Sequence, residues 1–335
     1  MSFNSYSPAE AIELVSRAGV KKGNMRPEKV FLSAFSAGCL LSFAAASCLV
    51  ANTSPWLQEN APGVARLLGA VVFPYGLVLI VLTGTDLCTG SFMYTTVAVL
   101  HRRLSLPRMF LHWLLTFLGN FAGALFMVTV IFGPGGVFSA EPFKDEAILF
   151  ATKKQIKPRW HEIFLRGIGC NWLVCLACYL GMQGRDLVSK VVGIWGPVFA
   201  FVSLGFDHVA ANMFFIPLGL WLGTPGLSIG LYVWKGVLPA LLGNIIGGGL
   251  FCGTFLWFLH LHGQEIEVDG DLWSTHHHHH HSRDGHRQQR DEEKGHRLDE
   301  LPRKDRLGVL MHQTKGSTSS LASAARSDRG LLSRE

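Results

Sequence analysis

The fold is decided by residues 205–217, which read GFDHVAANMFFIP. They place an acid, an imidazole and an amide within an apolar run that is long enough to cross a membrane. Polar side chains and bent backbone persist at membrane depth only against protein or a water-filled cavity, because lipid offers no hydrogen bonds. Ionisable residues inside a membrane are functional candidates by default. The stretch therefore predicts a broken membrane helix with His208 on a transport pathway.

The composition is that of a membrane protein. The 335-residue chain is 49% hydrophobic and 16% charged, and the charged share lies well below the roughly 25% of soluble domains. Its apolar residues fall in long runs, which indicates several membrane crossings. The net charge of +6 is not accompanied by a basic stripe with interleaved aromatic residues outside these runs. A nucleic-acid partner is therefore not expected.

The seven cysteines lie in or beside apolar runs at irregular spacing, so neither a disulfide framework nor a metal site is predicted. Cys175 and Cys178 have the C-x-x-C spacing but lack a second pair of ligands. Two small residues on one face of a membrane helix explain them better. No nucleophile–base pair is evident either. We therefore expect no cofactor, no metal and no enzymatic activity.

Six apolar regions follow one another along the chain, and each unbroken run has about the 20 residues that cross the hydrocarbon core. The second and fifth regions are interrupted at Gly84 and Gly205. The sequence thus predicts an all-α membrane protein with six transmembrane helices, of which the second and fifth are broken. The regions cover about 30–50, 64–100, 109–132, 161–182, 187–218 and 229–259.

The six-span transport domain, residues 30–260, is expected to lie between two polar segments. Residues 1–29 predict a cytoplasmic arm, and its short helix at 9–18 is either a solvated lead-in or a helix lying on the membrane surface. Residues 261–335 predict a disordered cytoplasmic tail. The run His276–His281 within this tail is either an affinity tag or native sequence. The distribution of Lys and Arg favours the cytoplasm for both termini.

The breaks in the second and fifth spans belong to an internal repeat. A G-x-D pattern occurs at 84–86 and again at 205–207, at an offset of 121 residues. A G-N-x-x-G pattern occurs at 119–123 and again at 243–247, at an offset of 124 residues. Three spans thus repeat three spans, and an odd number per repeat forces the two halves to be inverted in the membrane. Paired interrupted helices in such halves point to a substrate site at the membrane midplane.

At each break we expect a glycine hinge and an acidic cap. Gly84 and Gly205 would supply the backbone freedom that a sharp turn needs. Asp86 and Asp207 would N-cap the half-helices that follow, by accepting hydrogen bonds from free backbone N–H groups. A proton-relay role for either acid is the less favoured alternative.

Three motifs resemble those of the formate/nitrite transporter family, namely GTDLCTG at 84–90, RGIGCNWLVCLA at 166–177 and the stretch at 205–217. The resemblance covers about residues 10–260. It implies an aquaporin-like fold of six spans per protomer, assembled as a homopentamer with one pore in each protomer. It also implies that formate, nitrite or a similar small monovalent anion is carried across the lipid bilayer, generally with a proton.

The resemblance also implies roles for single residues. His208 matches the central histidine, Thr89 the hydroxyl that faces it and Asn171 the pore-facing amide. Asn171 is expected to donate a hydrogen bond to the passing anion, and the alternative is a hydrogen bond between helices. Lys154 matches the lysine that attracts anions at the outer mouth, with Lys157 as the alternative. The residues that match the apolar constrictions are Phe73, Leu77, Leu87 and Phe201.

The resemblance thus implies a proton-coupled transporter, in which apolar constrictions strip water from the anion and favour its passage as the protonated acid. Imidazole exchanges protons near neutral pH, which suits His208 to this step. The tail looks fungal, which favours nitrite as the substrate and the plasma membrane as the location. Formate or another short monocarboxylate is the alternative substrate. A neutral-solute channel and a membrane sensor acting through the tail are the alternatives from other classes.

Overall fold

The computed structural model describes residues 5–268. The predicted six-span domain lies within this part, whereas residues 269–335 of the predicted tail, with the histidine run, lie outside the described residues. Between residues 5 and 268 the structure is helical, apart from loops and one isolated bridge between Ser5 and Gly184. The prediction of an all-α membrane domain is confirmed.

In chain order the α-helices are α1 (Pro8–Gly23), α2 (Pro27–Asn52), α3 (Pro55–Asn60), α4 (Pro62–Val72), α5 (Tyr75–Thr83), α6 (Cys88–Leu100), α7 (Leu106–Phe126), α8 (Phe143–Ala151), α9 (Trp160–Gln183), α10 (Leu187–Leu204), α11 (Val209–Trp221), α12 (Ile229–Leu231), α13 (Leu238–Ile245) and α14 (Phe255–His260). Segments of π-helix follow α7, α8, α12 and α13, at Met127–Phe132, Thr152–Ile156, Tyr232–Val237 and Ile246–Thr254.

Six helical runs among the described residues are long and apolar enough to cross a membrane, as the sequence predicts. They are Pro27–Asn52, Pro62–Thr83, Leu106–Phe132, Trp160–Gln183, Leu187–Leu204 and Ile229–His260. The shorter apolar helices α6 and α11 complete the second and fifth spans beyond their breaks.

Helix α1 packs against the membrane domain, which neither expectation for the N-terminal arm anticipated. It begins with a reciprocal cap, in which Ser7 Oγ accepts a hydrogen bond from the N–H of Glu10 and the Glu10 carboxylate accepts one from the N–H of Ser7. The apolar face with Ile12 and Val15 is buried against α6 and α9. The helix is therefore docked on protein and is longer than predicted, because these apolar positions recur at helical spacing.

Sharp turns interrupt the second and fifth spans at the predicted glycines. Gly84 directly follows the end of α5, and Gly205 directly follows the end of α10. Each glycine has a φ of +71°. Glycine adopts this left-handed conformation at no steric cost, whereas a residue with a Cβ is strained there. Three non-helical residues follow each glycine before a new helix begins, α6 at Cys88 and α11 at Val209.

The two halves of the domain pack alike, as an inverted three-plus-three repeat requires. Helix α2 packs against α7 in the first half, and α9 packs against α13 and the π-helical segment after it in the second. A Cβ at Gly123 would overlap the carbonyl oxygen of Phe35, and a Cβ at Gly247 would overlap that of Ile168. The matched glycines thus allow two helix backbones to touch in each half, and the predicted inverted architecture is confirmed.

The segment between the third and fourth spans is more ordered than its polar sequence suggests. It contains helix α8, which packs against α2 and α11, and the π-helical turn Thr152–Ile156. Phe138 anchors the segment, since its side chain is fully buried in the apolar core. This folded segment forms one wall of a cavity described below, and it positions the charged residues of that cavity.

The substitution Gly247→Ala is expected to lower the thermal stability of the purified protein, because the new Cβ would force α9 away from the sixth span. Overpacking of this kind costs about 1–3 kcal/mol, more than the roughly 0.5–1 kcal/mol that Gly→Ala contributes to a helix. Gly230→Ala in the same span is the control, since nothing lies within 4 Å of a Cβ there. Equal melting temperatures for the two variants in detergent would contradict the close contact.

Candidate functional site

An asparagine caps the half-helix α6. Asn120 of α7 accepts a hydrogen bond through its Oδ1 from the backbone N–H of Cys88, at 2.8 Å. Its Nδ2 donates to the carbonyl oxygens of Asp86, at 2.9 Å, and of Ala34, at 2.8 Å. One buried amide thus joins the first break to α7 and α2, and it satisfies backbone groups that lipid would leave unpaired.

The second half repeats this arrangement around Asn244. Its Oδ1 accepts from the backbone N–H of Val209 at 2.9 Å. Its Nδ2 donates to the carbonyl oxygens of Asp207, at 3.0 Å, and of Gly167, at 2.9 Å. The two sets of three hydrogen bonds are equivalent under the repeat, so both broken spans are fixed in the same way.

The prediction that Asp86 and Asp207 cap the half-helices is therefore wrong. The residues at the N-cap positions, Leu87 and His208, make no capping hydrogen bond through their side chains. Each break exposes a carbonyl oxygen as well as an N–H group, and an amide can pair with both, whereas a carboxylate only accepts. The two acids form charged contacts instead. The two glycines predicted as hinges have the left-handed conformation at the breaks.

Asp86 lies at the centre of a charged cluster at the first break. It accepts a hydrogen bond from Ser91 Oγ at 2.6 Å. Lys22 Nζ lies 2.9 Å from one carboxylate oxygen, and His112 Nε2 lies 3.1 Å from the other. Because Lys22 comes from the last turn of α1, docking of that helix delivers a positive charge to the break.

Asp207 has an equivalent partner at the second break. Lys154 Nζ lies 3.3 Å from the Asp207 carboxylate and donates to the carbonyl oxygens of Gly205, at 2.7 Å, and of Phe206, at 2.6 Å. The lysine side chain is 13% exposed. It is thus held against the break, below a cavity that it lines. The alternative, Lys157, is exposed and does not line this cavity.

The structure brings His208 and Thr89 together, as the sequence predicts. His208 Nε2 lies 2.8 Å from Thr89 Oγ1, and the two residues are 3% and 0% exposed. They stand at the N-terminal ends of α11 and α6, so the two half-helices meet at this pair. The other ring nitrogen, His208 Nδ1, has no hydrogen-bond partner among the described residues. The imidazole therefore keeps one nitrogen free for a proton or a ligand.

Asn171 does not present a donor to the pathway, which corrects the prediction for this residue. Its Nδ2 donates to the carbonyl oxygens of Thr89, at 3.0 Å, and of Asn244, at 2.6 Å. Both amide hydrogens are thereby used on backbone close to the half-helix start. Its Oδ1 is buried without a partner among the described residues, so the side chain can still accept a hydrogen bond.

Aromatic rings cover the histidine on one side. The ring centroids of Phe73 and Phe201 are 5.9 Å apart, and Phe201 lies 5.6 Å from the His208 ring. Phe215 stacks on Phe73 at 6.4 Å. These three phenylalanines are buried and line the floor of the cavity. The predicted constriction residues Leu77 and Leu87 are buried as well, outside the cavity lining.

Above these rings lies a cavity of about 390 Å³, hereafter the vestibule. Four cationic side chains line it, together with Glu146, Gln58 and His208. The cations are Arg66, Lys153, Lys154 and Arg166. An excess of positive charge above a buried apolar floor raises the local concentration of small anions. Within residues 5–268 no group of three or more His, Cys, Asp or Glu side chains is placed to hold a metal ion.

Glu146 is the acid of the vestibule. Its side chain is 6% exposed, and its Oε2 accepts a hydrogen bond from Gln58 Nε2 at 2.5 Å. Burial raises the pKa of Glu146 to about 7, although nearby Lys153 and the Gln58 hydrogen bond act in the opposite direction. The carboxyl group is therefore able to gain or lose its charge near neutral pH.

In the sequence, Asn120 and Asn244 stand out only as parts of the repeat, and no local pattern connects Lys22, His112 or Phe215 with the site. An amide between two close-packing glycines in an apolar span was the signal for the asparagines. Lys22 and His112 contact an acid that is far from them in the chain, so no spacing rule connects them. Phe215 was hidden among the other apolar residues of α11.

A model of the formate/nitrite transporter family matches residues 9–258. A probable formate transporter of Methanothermobacter thermautotrophicus is 33% identical over 268 residues, which are 76% of this chain and 97% of that protein. The formate channel FocA of Haemophilus influenzae is 31% identical over 277 residues, which are 77% of this chain and 96% of that protein. A solved structure of a pentameric formate channel with formate bound has a TM-score of 0.62 and 28% identity, and covers 70% of this chain and 98% of its own.

Asn244→Ala is expected to lower the melting temperature strongly, because it leaves an N–H group and two carbonyl groups unpaired inside the membrane domain. One buried unpaired group costs about 1–3 kcal/mol, so a loss on the order of 3 kcal/mol is expected. Asn60→Ala is the control, since the only side-chain bond of Asn60 in the described part of the chain is exposed. A decrease in melting temperature no larger than that of the control would show that the Asn244 side chain does not stabilise the broken span.

Proposed function

Because the chain belongs to the formate/nitrite transporter family, we propose that it carries a small monovalent anion together with a proton across the plasma membrane. The observation that carries this proposal is the His208–Thr89 pair, which stands where the two half-helices meet. An ionisable ring at that depth, below a positively charged vestibule, provides an anion binding region and a proton carrier on one path.

The anion first enters the vestibule. Lys154 and the other cations of the vestibule attract it, and the partial positive charge at the start of α11 acts in the same direction. Because the carbonyl oxygens of Gly205 and Phe206 hold Lys154 in place, its charge stays fixed at the end of the path. The anion reaches this point with part of its hydration shell.

The anion then meets the rings of Phe73, Phe201 and Phe215. They offer no hydrogen bonds to replace water, so a charged species is disfavoured there and the proton affinity of the anion rises. His208 supplies or relays the proton, and the substrate passes as a neutral acid. Its hydroxyl group is able to donate to the free Oδ1 of Asn171. Thr89 keeps the ring oriented during this step.

The opposite end of the path has its own lysine. Lys22 stands at Asp86 as Lys154 stands at Asp207, with Nζ–carboxylate distances of 2.9 and 3.3 Å. After the proton has left the acid, a cation at this end stabilises the anion until it reaches bulk water. The matched pairs support transport in either direction, which the driving gradients would select.

Formate is the first substrate we propose, and nitrite the second. The curated relatives described above are named as a formate transporter and a formate channel. The sequence-based prediction of nitrite rests on the character of the tail, which lies almost entirely outside the described residues, and it stays a prediction. Both anions are small, monovalent and rich in oxygen, so the features of the path suit either of them.

A homopentamer with one path per protomer is the assembly we propose, because a similar solved structure is a pentameric formate channel. Exposed apolar side chains along α7 and α10 suit contact with lipid or neighbouring protomers. The proposed orientation puts both termini in the cytoplasm and the vestibule outside. It follows from six spans and from the excess of Lys and Arg in the inner segments.

A competition assay in proteoliposomes tests the proposal. Labelled formate uptake is expected to rise as the pH falls from 8 to 5 and to be inhibited by nitrite more strongly than by acetate or lactate. The reason for this order is that nitrite is similar to formate in size and charge, whereas acetate and lactate are larger. Swelling of the vesicles in neutral solutes without anion uptake would support a neutral-solute channel. The absence of both activities in folded protein would favour a sensor.

His208→Asn is expected to remove the pH dependence of uptake and to lower the rate at acidic pH about tenfold or more, because asparagine cannot carry a proton. The substitution keeps a polar side chain that can still contact Thr89. His161→Asn, at an exposed position, is the matched control and should transport like the wild type. Full pH-dependent uptake by the His208 variant would exclude a required proton role for this ring.

A further inference from the structure

Glu146 is the one acid among the residues that line the vestibule, where it faces an excess of cations. It lies on α8, and its hydrogen-bond partner is the neutral amide of Gln58. It is almost fully buried at 6% exposure. A carboxyl group in this position is costly to maintain, and nothing in the anion pathway described above uses it.

We propose that Glu146 is an affinity-determining residue of the outer vestibule, where its ionised carboxylate competes with the transported anion for the positive charge of the cations and its protonation ends this competition. This inference rests on the proposed function, since it assumes that an anion enters through the vestibule. Glu146 touches no reacting atom and acts on affinity rather than on the proton transfer itself.

The surroundings of Glu146 fit this role. The π-helical turn after α8 places Lys153 and Lys154 on the vestibule, while α4 and α9 contribute Arg66 and Arg166. The remaining titratable groups that face it are Cys48 of α2 and His208 at the start of α11. On α3, Glu59 is exposed and lies outside the vestibule lining. Asp207 pairs with Lys154 at 3.3 Å but lies outside the lining, so Glu146 is the one acid that lines the vestibule.

Two opposing influences set the pH range in which the Glu146 carboxyl group gains or loses its proton. Burial disfavours the ionised form, whereas the N–H of Gln58 and the charge of Lys153 favour it. The resulting pKa of about 7 means that Glu146 is mostly neutral below pH 6 and mostly ionised above pH 8. At low pH the cations act on the substrate without a competing carboxylate in the vestibule lining, and at high pH the ionised carboxylate partly neutralises them.

The consequence is a split between affinity and maximal rate. Protonation of Glu146 lowers the substrate concentration for half-saturation but leaves the maximal exchange rate unchanged. Protonation at His208, in contrast, changes the maximal rate. Acidic conditions would thus both fill the vestibule and drive the proton-coupled step, through two separate groups.

Equilibrium exchange of labelled formate in proteoliposomes tests this proposal, with the same pH on both sides so that no proton gradient contributes. The formate concentration that gives half-maximal exchange, the half-saturation concentration, is measured at pH 6 and at pH 8. The ratio of the half-saturation concentration at pH 8 to that at pH 6 is expected to be about threefold to tenfold smaller in Glu146→Gln than in the wild type. At pH 6 the two proteins should have similar half-saturation concentrations. Asp145→Asn, an exposed acid one residue away, is the matched control and should keep the wild-type ratio.

Gln58→Met provides an independent test that leaves the carboxyl group in place. Loss of the Gln58 hydrogen bond disfavours the ionised form of Glu146. The pH at which the half-saturation concentration rises should therefore increase by a measurable fraction of a pH unit. A wild-type ratio in Glu146→Gln, or an unmoved midpoint in Gln58→Met, would overturn the proposal. Wild-type protein that exchanges neither formate nor nitrite would instead overturn the proposed function.

Discussion

The membrane domain depends on the pairing of backbone groups at its two broken spans. A helix that stops inside a membrane leaves N–H and carbonyl groups without partners, and lipid cannot provide any. Asn120 and Asn244 solve this problem with one acceptor and two donors each. Because each amide also reaches a neighbouring span, it fixes the place where α6 and α11 begin. The meeting of His208 and Thr89 follows from that placement.

The charged residues are arranged on this framework in two similar but unequal pairs. Lys22 with Asp86 and Lys154 with Asp207 stand at equivalent breaks, as expected for an inverted repeat. The first pair has an additional imidazole, His112, against the carboxylate. The second pair lies below the vestibule, where Glu146 opposes the surrounding cations. The two breaks therefore carry different charged groups, although their backbones are alike.

Features of the site that are visible as local sequence pattern could be predicted, whereas contacts between distant spans could not. Gly84 and Gly205 interrupt long apolar runs, so the breaks are visible as local pattern. His208 is visible because an imidazole is rare at membrane depth. The caps were assigned to the wrong side chains, because the acids are next to the breaks in sequence while the asparagines reach them from other spans. The donor role predicted for Asn171 failed for the same reason, since both of its amide hydrogens are used by distant carbonyl groups.

The sequence by itself determined the number of spans, the positions of the breaks and the inverted repeat, because these depend on run length, glycine position and the order of motifs. Only the tertiary structure decided which side chains pair across the breaks, how α1 brings Lys22 to Asp86, and how α8 brings Glu146 into the vestibule. The physical reason is that a buried polar group must find a partner wherever the fold places one. In an inverted repeat that partner lies on a span far away in the chain.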